Sequence, residues 1–336
     1  MTTQTTPTRT LGSSGIEVSA LGLGCWAIGG PWTFCGSPGG WSSVDDAESE
    51  RALRRALDLG VTFFDTAANY GAGHSERVLG RVLRDRRSEV VLATKFGYAV
   101  DEAAAAVSTY GPDSSDSDVA PRVRADLEAS LRRLGTDYVD VFQLHVGDLS
   151  VERALEVREV LEALVTEGTV RTYGWSTDRA DAARAFSTGP GCGVLQHALS
   201  VLDDVDPDLL VLCEELGLAS VNRGPLGMGL LTGKLTRDSR FADDDQRHRA
   251  GWHPGFRDGR VTQDWLDKIA AVREVLTSDG RTLAQGALAW IWARSPVTVP
   301  IPGFRTVAQV EENAGAIAHG PLTAAQVAEV DRILGR

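Results

Sequence analysis

Eight short apolar runs recur along the chain, seven of them separated from the next by a stretch with helical spacing, and this alternation limits the fold more than any other feature. The runs lie at residues 21–24, 61–65, 89–95, 138–144, 170–175, 193–197, 218–222 and 297–301. Helical stretches follow at 43–60, 75–85, 121–134, 151–167, 179–187, 207–216 and 262–277, with another from Thr282 and two more from Thr306 and Thr323 after the last strand. Strict alternation implies parallel strands joined by right-handed crossovers. Eight such units fit a closed α/β architecture, a (β/α)8 TIM barrel with extra C-terminal helices, better than an open sheet. Ahead of them, Thr10-Leu11, the turn Gly12–Gly15 and Ile16-Glu17-Val18 read as a β-hairpin that plugs the bottom of the barrel. In Leu21-Gly22-Leu23-Gly24 the alternating glycines remove side chains and predict a close approach to another segment.

Local signals sharpen the helix starts. Ser43 with Asp46 opens the first helix, Asp206-Pro207 is a cap followed by a first-turn proline, and Thr282/Gln285, Thr306/Gln309 and Thr323/Gln326 all read as capping boxes. Residues 27–43, 97–118 and 234–260 read as long loops, and Asp113–Asp118 as a mobile loop segment. The whole chain, 1–336, is expected to form one barrel domain with residues 1–8 flexible.

Composition excludes several function classes. At 43% hydrophobic and 24% charged residues the chain has ample core, and a net charge of −12 disfavours a nucleic-acid surface, which needs clustered Lys and Arg. Cys25, Cys35, Cys192 and Cys213 are scattered without a CxxC pair or a His at ligand spacing, so free thiols are expected and no metal site. No run approaches 18 apolar residues, which argues against a membrane span. The Thr-rich segment Met1–Arg9 lacks the apolar core of a signal peptide, and a cytoplasmic location is expected.

Three strand ends carry ionisable groups. Val61-Thr62-Phe63-Phe64 delivers Asp65 with Tyr70 five residues later; Leu92-Ala93-Thr94 delivers Lys95; Phe142-Gln143-Leu144 delivers His145. In a (β/α)8 barrel these positions share the C-terminal face, where such folds keep their chemistry. Taken singly, each has a bland alternative: a loop aromatic, a buried ion pair, a satisfied core histidine. Taken together, four ionisable groups at successive strand ends read as an assembled site.

These residues resemble the tetrad of the aldo-keto reductases. The resemblance extends through Tyr70-Gly71-Ala72-Gly73-His74-Ser75-Glu76, Ala93-Thr94-Lys95, the segment from Ser130 to Asp140, and the segment from Pro225 to Lys234, and runs from about residue 8 to 315. It implies that Tyr70 is the proton donor, Lys95 the cation that holds its conjugate base, Asp65 the group that orients Lys95, and His145 the group that aligns the substrate oxygen. It also implies an NADPH/NADP+ cofactor bound without a Rossmann unit. No GxGxxG follows the first strand, and Gly24–Gly30 only superficially resembles one.

By the same resemblance Ser176 and Gln196 match the positions that hold the carboxamide, with polar strand ends facing solvent as the bland alternative, and Thr177, Arg223, Leu226 and Gly229 lie along the cofactor. Arg305 stands just before a helix N-terminus, where free N–H groups already favour an anion, and Gln309 and Asn313 follow at four-residue spacing with Glu312 beside them. This matches the family's site for the adenosine 2′-phosphate and adenine, and favours NADPH over NADH; an exposed helix-start arginine is the bland alternative. Two positions depart from many relatives: Thr177 replaces an Asn, and Arg223 stands where an aromatic underlies the nicotinamide. Arg223 would repel the oxidised ring and so favour NADPH over NADP+, unless it pairs with a carboxylate such as Asp203 or Asp204. Trp26, Trp32, Phe34, Trp41, Tyr98 and Trp252 are candidates for an aromatic substrate wall.

The expected activity is NADPH-dependent reduction of an aldehyde or ketone, with a small-molecule carbonyl substrate and neither nucleic acid nor membrane as partner. The alternatives are an NADP-dependent dehydrogenase of a sugar or alcohol and a cofactor-binding regulatory subunit with little turnover. The sequence leaves self-association open.

Overall fold

A computed structural model describes residues 7–42, 44–203, 208–248 and 253–336. The readings that fall on Ser43, Asp204, Asp206-Pro207 and Trp252 lie outside the described residues.

Eight parallel strands pair in sequence order: β1 (Gly22–Gly24), β2 (Phe63–Asp65), β3 (Val91–Phe96), β4 (Val139–Leu144), β5 (Val170–Ser176), β6 (Cys192–Ala198), β7 (Ala219–Arg223) and β8 (Thr298–Pro300). A parallel bridge between Gly24 and Gly303, with Gly24 N donating to Pro302 O at 3.0 Å, brings the end of β8 back beside β1 and nearly closes the barrel. The glycines of β1 make this approach possible. A Cβ on Gly24 would lie 2.8 Å from Ile301 O, and one on Gly22 would meet Phe63 and Ile301 side chains at 2.6 and 2.8 Å.

Helices α1 (Asp46–Asp58), α2 (His74–Leu83), α3 (Val123–Leu134), α4 (Val151–Glu167), α5 (Ala180–Phe186) and α6 (Asp208–Leu216) lie between successive strands. Between β7 and β8 come α7 (Gln263–Leu276) and α8 (Leu283–Arg294); α9 (Val307–Gly315) and α10 (Ala324–Leu334) follow the last strand. Among the described residues, no helix is long and apolar enough to cross a membrane.

Period-two alternation sorts each strand into an inner and an outer face. Phe63, Val91, Ala93, Val141, Val194, Ala219, Val221 and Val299 fill the barrel, whereas Phe64, Leu92, Phe142 and Leu195 pack outward against the helices. The opening hairpin (Thr8–Thr10 with Glu17–Ser19) contributes Leu11, Ile16 and Val18 to the same inner cluster and so forms the barrel floor. Its turn fits only because Gly12 takes φ +55° and has no side chain: a Cβ there would stand 2.4 Å from Gly193 O.

Several motif residues serve the frame. Asp140, fully buried, accepts from Arg87 Nη2 (2.7 Å), Arg171 Nη1 (2.7 Å) and Leu92 N (2.9 Å), tying β3, β4 and β5 together. Glu76, also buried, accepts from Thr94 Oγ1 at 2.5 Å and Arg133 Nε at 2.6 Å.

The local readings need three corrections. The first helix is capped by Asp45, whose carboxylate accepts from Ala47 N and Glu48 N, because Asp45 sits directly before the first helical residue. The capping boxes at Thr282 and Thr323 are complete, but at Thr306 only half forms: Gln309 Oε1 accepts from Arg305 N at 2.7 Å instead of from the cap residue. The loops at 27–43 and 97–118 are not structureless. Thr33–Phe34, Ser37–Pro38, Ala99–Asp101 and Ala106–Ser108 form a small four-stranded sheet, whose pairing spans loops far apart in sequence. Within the loop at Asp113–Asp118, Asp113 Oδ1 accepts from Ser115 Oγ (2.8 Å) and Asp116 N (3.0 Å).

Candidate active site

The inner face of the strands turns polar at the C-terminal rim. After Phe63 on β2 comes Asp65; after Ala93 on β3, Lys95; after Val141 on β4, Gln143; after Val194 on β6, Gln196. Alternation therefore points these side chains at one another across the barrel. Lys95 is fully buried, and its Nζ donates to Asp65 Oδ1 (2.5 Å), Thr66 O (2.9 Å) and Tyr70 Oη (3.2 Å). A buried ammonium is tolerated when each of its protons has a partner, and here three do. Asp65 Oδ2 accepts from the amides of Gln196 (2.8 Å) and Gln143 (3.1 Å), so the carboxylate is held from both sides.

Tyr70 lies on the turn after β2. A Cβ on Gly29 would fall 2.8 Å from Tyr70 C, and one on Gly71 would fall 2.1 Å from Gly29 O, so the two glycines let these loops press together. The Tyr70 ring stacks on Trp26 (5.9 Å, 23°) and meets His145 edge-on (5.7 Å, 80°). His145 follows β4 and is anchored by its own N–H on Phe96 O at 2.9 Å. Its Nδ1 is buried without a hydrogen-bond partner.

The electrostatics follow from this packing. Burial pushes the Tyr70 phenol above its usual range; Lys95 pulls it back without overcoming the shift, and Asp65 adds to the rise. For Lys95 burial acts downward, but Asp65 and Tyr70 outweigh it and hold the ammonium above its usual value. Burial, then the charges of Lys95 and Arg223, keep His145 well below the usual histidine range, so its ring is neutral at neutral pH.

The other expected residues fall into two groups along the rim. Ser176 ends β5 and is nearly buried, and Gln196 is committed to Asp65 and Gln143 (3.3 Å), so neither is a solvent-facing strand end. Thr177 Oγ1 donates to Gly147 O at 2.6 Å and accepts from Arg179 N at 3.2 Å. Arg223 ends β7 and donates to Asp178 Oδ2; among the described residues its hydrogen bond goes to Asp178 and not to Asp203, because Asp178 reaches it across the end of β6. Leu226 is buried, and Gly229 adopts φ +99° in the turn that follows.

The second group surrounds the start of α9. Arg305 precedes the cap Thr306, and its Nη2 donates to Ser42 O at 3.4 Å. Gln309 folds back to Arg305 N, Asn313 is buried with Nδ2 donating to Gly303 O at 3.5 Å, and Glu312 lies 3.4 Å from Lys234 of the loop after β7. Of the aromatic candidates, Trp26 stacks on Tyr70, Tyr98 lies 5.7 Å from the His145 ring and Phe34 lies 5.3 Å from Tyr98. Trp41 adjoins Trp26 at 5.7 Å. Trp32 is buried with Ala72 and Val107, and Phe34 and Tyr98 pack against that cluster.

Three participants escape sequence reasoning. Gln143 had a readable signal, since it shares the inner-face parity of the neighbouring strand ends. Asp178 and Glu48 had none; Glu48 Oε1 accepts from Val307 N at 2.8 Å, a contact across 259 positions that places a carboxylate on the first turn of α9.

A nearly closed barrel with a buried Asp–Lys pair touching a phenol, and a neutral histidine beside it, defines a barrel of the reductase kind. The Aldo/keto reductase family pattern matches residues 20–334, and the chain belongs to that family. It is 30% identical to the aldo-keto reductase yakc of Schizosaccharomyces pombe, whose name carries NADP(+), over 322 residues covering 93% of this chain and 86% of that protein. Among solved structures it is similar to the glycerol dehydrogenase AKR11B4 of Gluconobacter oxydans (28% identity, TM-score 0.77, 98% of this chain and 95% of that one). An aldo/keto reductase of Klebsiella pneumoniae in complex with NADP and acetate also superposes (27% identity, TM-score 0.67, 97% and 94%).

Proposed function

We propose that this protein is an NADPH-dependent reductase of aldehydes or ketones in which Tyr70 is the general acid. The observation that carries this reading is the double contact of Lys95 Nζ, 2.5 Å from Asp65 Oδ1 and 3.2 Å from Tyr70 Oη. At neutral pH the phenol keeps its proton, and the adjoining ammonium stabilises the phenolate left when that proton passes to the developing alkoxide. Asp65, braced by Gln143 and Gln196, keeps Lys95 charged and aimed. His145, neutral and edge-on to the Tyr70 ring, offers an imidazole nitrogen to orient the substrate oxygen. Trp26, Phe34 and Tyr98 supply an apolar mouth that keeps water from competing for that oxygen.

The residues present suit a nicotinamide dinucleotide. Ser176 and Gln196 offer polar groups at the rim beside Tyr70, and Arg305 at the start of α9 offers a cation to a 2′-phosphate. The names of the S. pombe and K. pneumoniae relatives carry NADP, which supports this cofactor class. When bound, it supplies the hydride. The same phenol and ammonium serve the reverse direction, oxidation of an alcohol, and the likeness to a glycerol dehydrogenase makes that the second reading.

The test is oxidation of NADPH across aromatic, aliphatic and sugar carbonyls, set against reduction of NADP+ with the matching alcohols. Tyr70→Phe should lower turnover by roughly 10²–10⁴ while NADPH still binds. Wild-type turnover in that variant would remove Tyr70 from the acid role.

A further inference from the structure

Arg223 and Asp178 form an ion pair for which nothing so far accounts. Arg223 is the last residue of β7, in register with Ala198 at the end of β6. Asp178 lies in the loop after β5. One carboxylate oxygen, Oδ1, accepts from Ala198 N at 2.8 Å; the other, Oδ2, accepts from Arg223 Nη2. A single carboxylate therefore ties three consecutive strand ends together, on the stretch of rim that carries Ser176 and Gln196.

The loop is built to present that carboxylate. Thr177 Oγ1 donates to Gly147 O and accepts from Arg179 N, bracketing Asp178 on both sides. Arg179 Nη1 donates to Leu149 O at 3.1 Å, pinning the far end of the turn. Asp178 is thus fixed by backbone contacts, and the flexible Arg223 side chain follows it. Both side chains are about half exposed to the barrel mouth (49% and 40%), so their charges face whatever enters there. The field of Arg223 reaches inward as far as Tyr70 and His145.

The two redox forms of nicotinamide differ in charge at the ring: the oxidised ring is a cation and the reduced ring is neutral. A bare guanidinium at this rim repels one form and is nearly indifferent to the other. We propose that Asp178 is a specificity-determining residue of the cofactor site, holding and neutralising Arg223 so that the oxidised form is admitted alongside the reduced one. This rests on the NADP(H) reading of the site. It also gives Thr177 a role, as the brace of the Asp178 turn.

Dissociation constants for NADPH and NADP+ measured by fluorescence titration of the full chain test it. The readout is the ratio Kd(NADP+)/Kd(NADPH). Asp178→Asn keeps the acceptor for Ala198 N but removes the charge, and should raise the ratio about two- to fivefold, the size of a partly exposed charge pair. Arg223→Gln leaves Asp178 uncompensated and should lower it by a similar factor. The double variant, neutral again, should return close to the wild-type ratio. The spread among the four proteins should be widest at about 10 mM salt and shrink at about 1 M, where the screening length falls from about 30 to about 3 Å. Equal changes in both constants, or a ratio unmoved in both single variants while both forms still bind, would overturn the inference alone. Failure of the wild-type protein to bind either form would overturn the cofactor reading, and this inference with it.

Discussion

Lys95 is a charge in the middle of a barrel, and it survives there because three oxygens meet its three protons. Its neighbours show how burial sets proton chemistry residue by residue. His197 lies one position beyond Gln196 on β6 and therefore faces outward, fully buried, with Nε2 2.7 Å from Ser220 Oγ and Nδ1 3.0 Å from Ala198 O. Burial holds it down at about 4 against an ordinary 6.5. The unfolded chain thus takes up a proton near pH 6.5 that the folded chain refuses until about pH 4. The stability this contributes is complete above pH 6.5 and is lost as pH falls through that window, amounting to roughly 3 kcal/mol in full. His145 is shifted the same way and adds to the acid side. Urea midpoints at pH 7 and pH 5 should show wild type losing markedly more stability on acidification than His197→Gln. Identical losses would remove His197 from the account.

At the scale of the element, α9 shows how a local rule is modified by what surrounds the helix. Thr306 caps it as its sequence predicts, accepting from Gln309 N at 3.3 Å, but the returning half of the box is diverted to Arg305 N. That diversion fixes the backbone of Arg305 just ahead of the helix, with its guanidinium near Ser42. Glu48 of α1 sits on Val307 N, so one carboxylate already shares the positive end of the helix. Arg305→Ala should weaken NADPH by about 10–100-fold, the range of a lost charge-assisted hydrogen bond to phosphate, and leave NADH nearly unchanged. Comparable losses for the two cofactors in paired titrations would remove the phosphate assignment.

Across the whole molecule, the barrel separates stability from chemistry along its axis. The floor is the hairpin with Leu11, Ile16 and Val18 packed under Phe63, Val91 and Val141; the polar rim begins one inner-face position above Phe63 and Val141 and two above Val91. Leu11 is fully buried, and Leu11→Ala should cost about 2–5 kcal/mol of stability through lost contacts and a residual cavity. Because the rim does not touch Leu11, turnover at 25 °C should stay near wild type while the melting temperature falls. A variant that kept its melting temperature, or lost turnover while still folded, would contradict that division.

How much of this was readable from the chain follows from the range of each interaction. Strand and helix order, the inward parity of Asp65 and Lys95, the caps at Thr282 and Thr323 and the floor hairpin all arise from residues within a turn or a pleat of one another. Alternation and capping are local, and sequence order carries them. The small four-stranded sheet, the packing of Phe34 and Tyr98 against the Trp32 cluster, the bracing of Asp65 by Gln196 across 131 positions, and the choice of Asp178 as partner for Arg223 were decided only when the barrel closed. Closure sets which strand ends stand side by side, and a polar group at a rim bonds to whichever partner that geometry brings within reach.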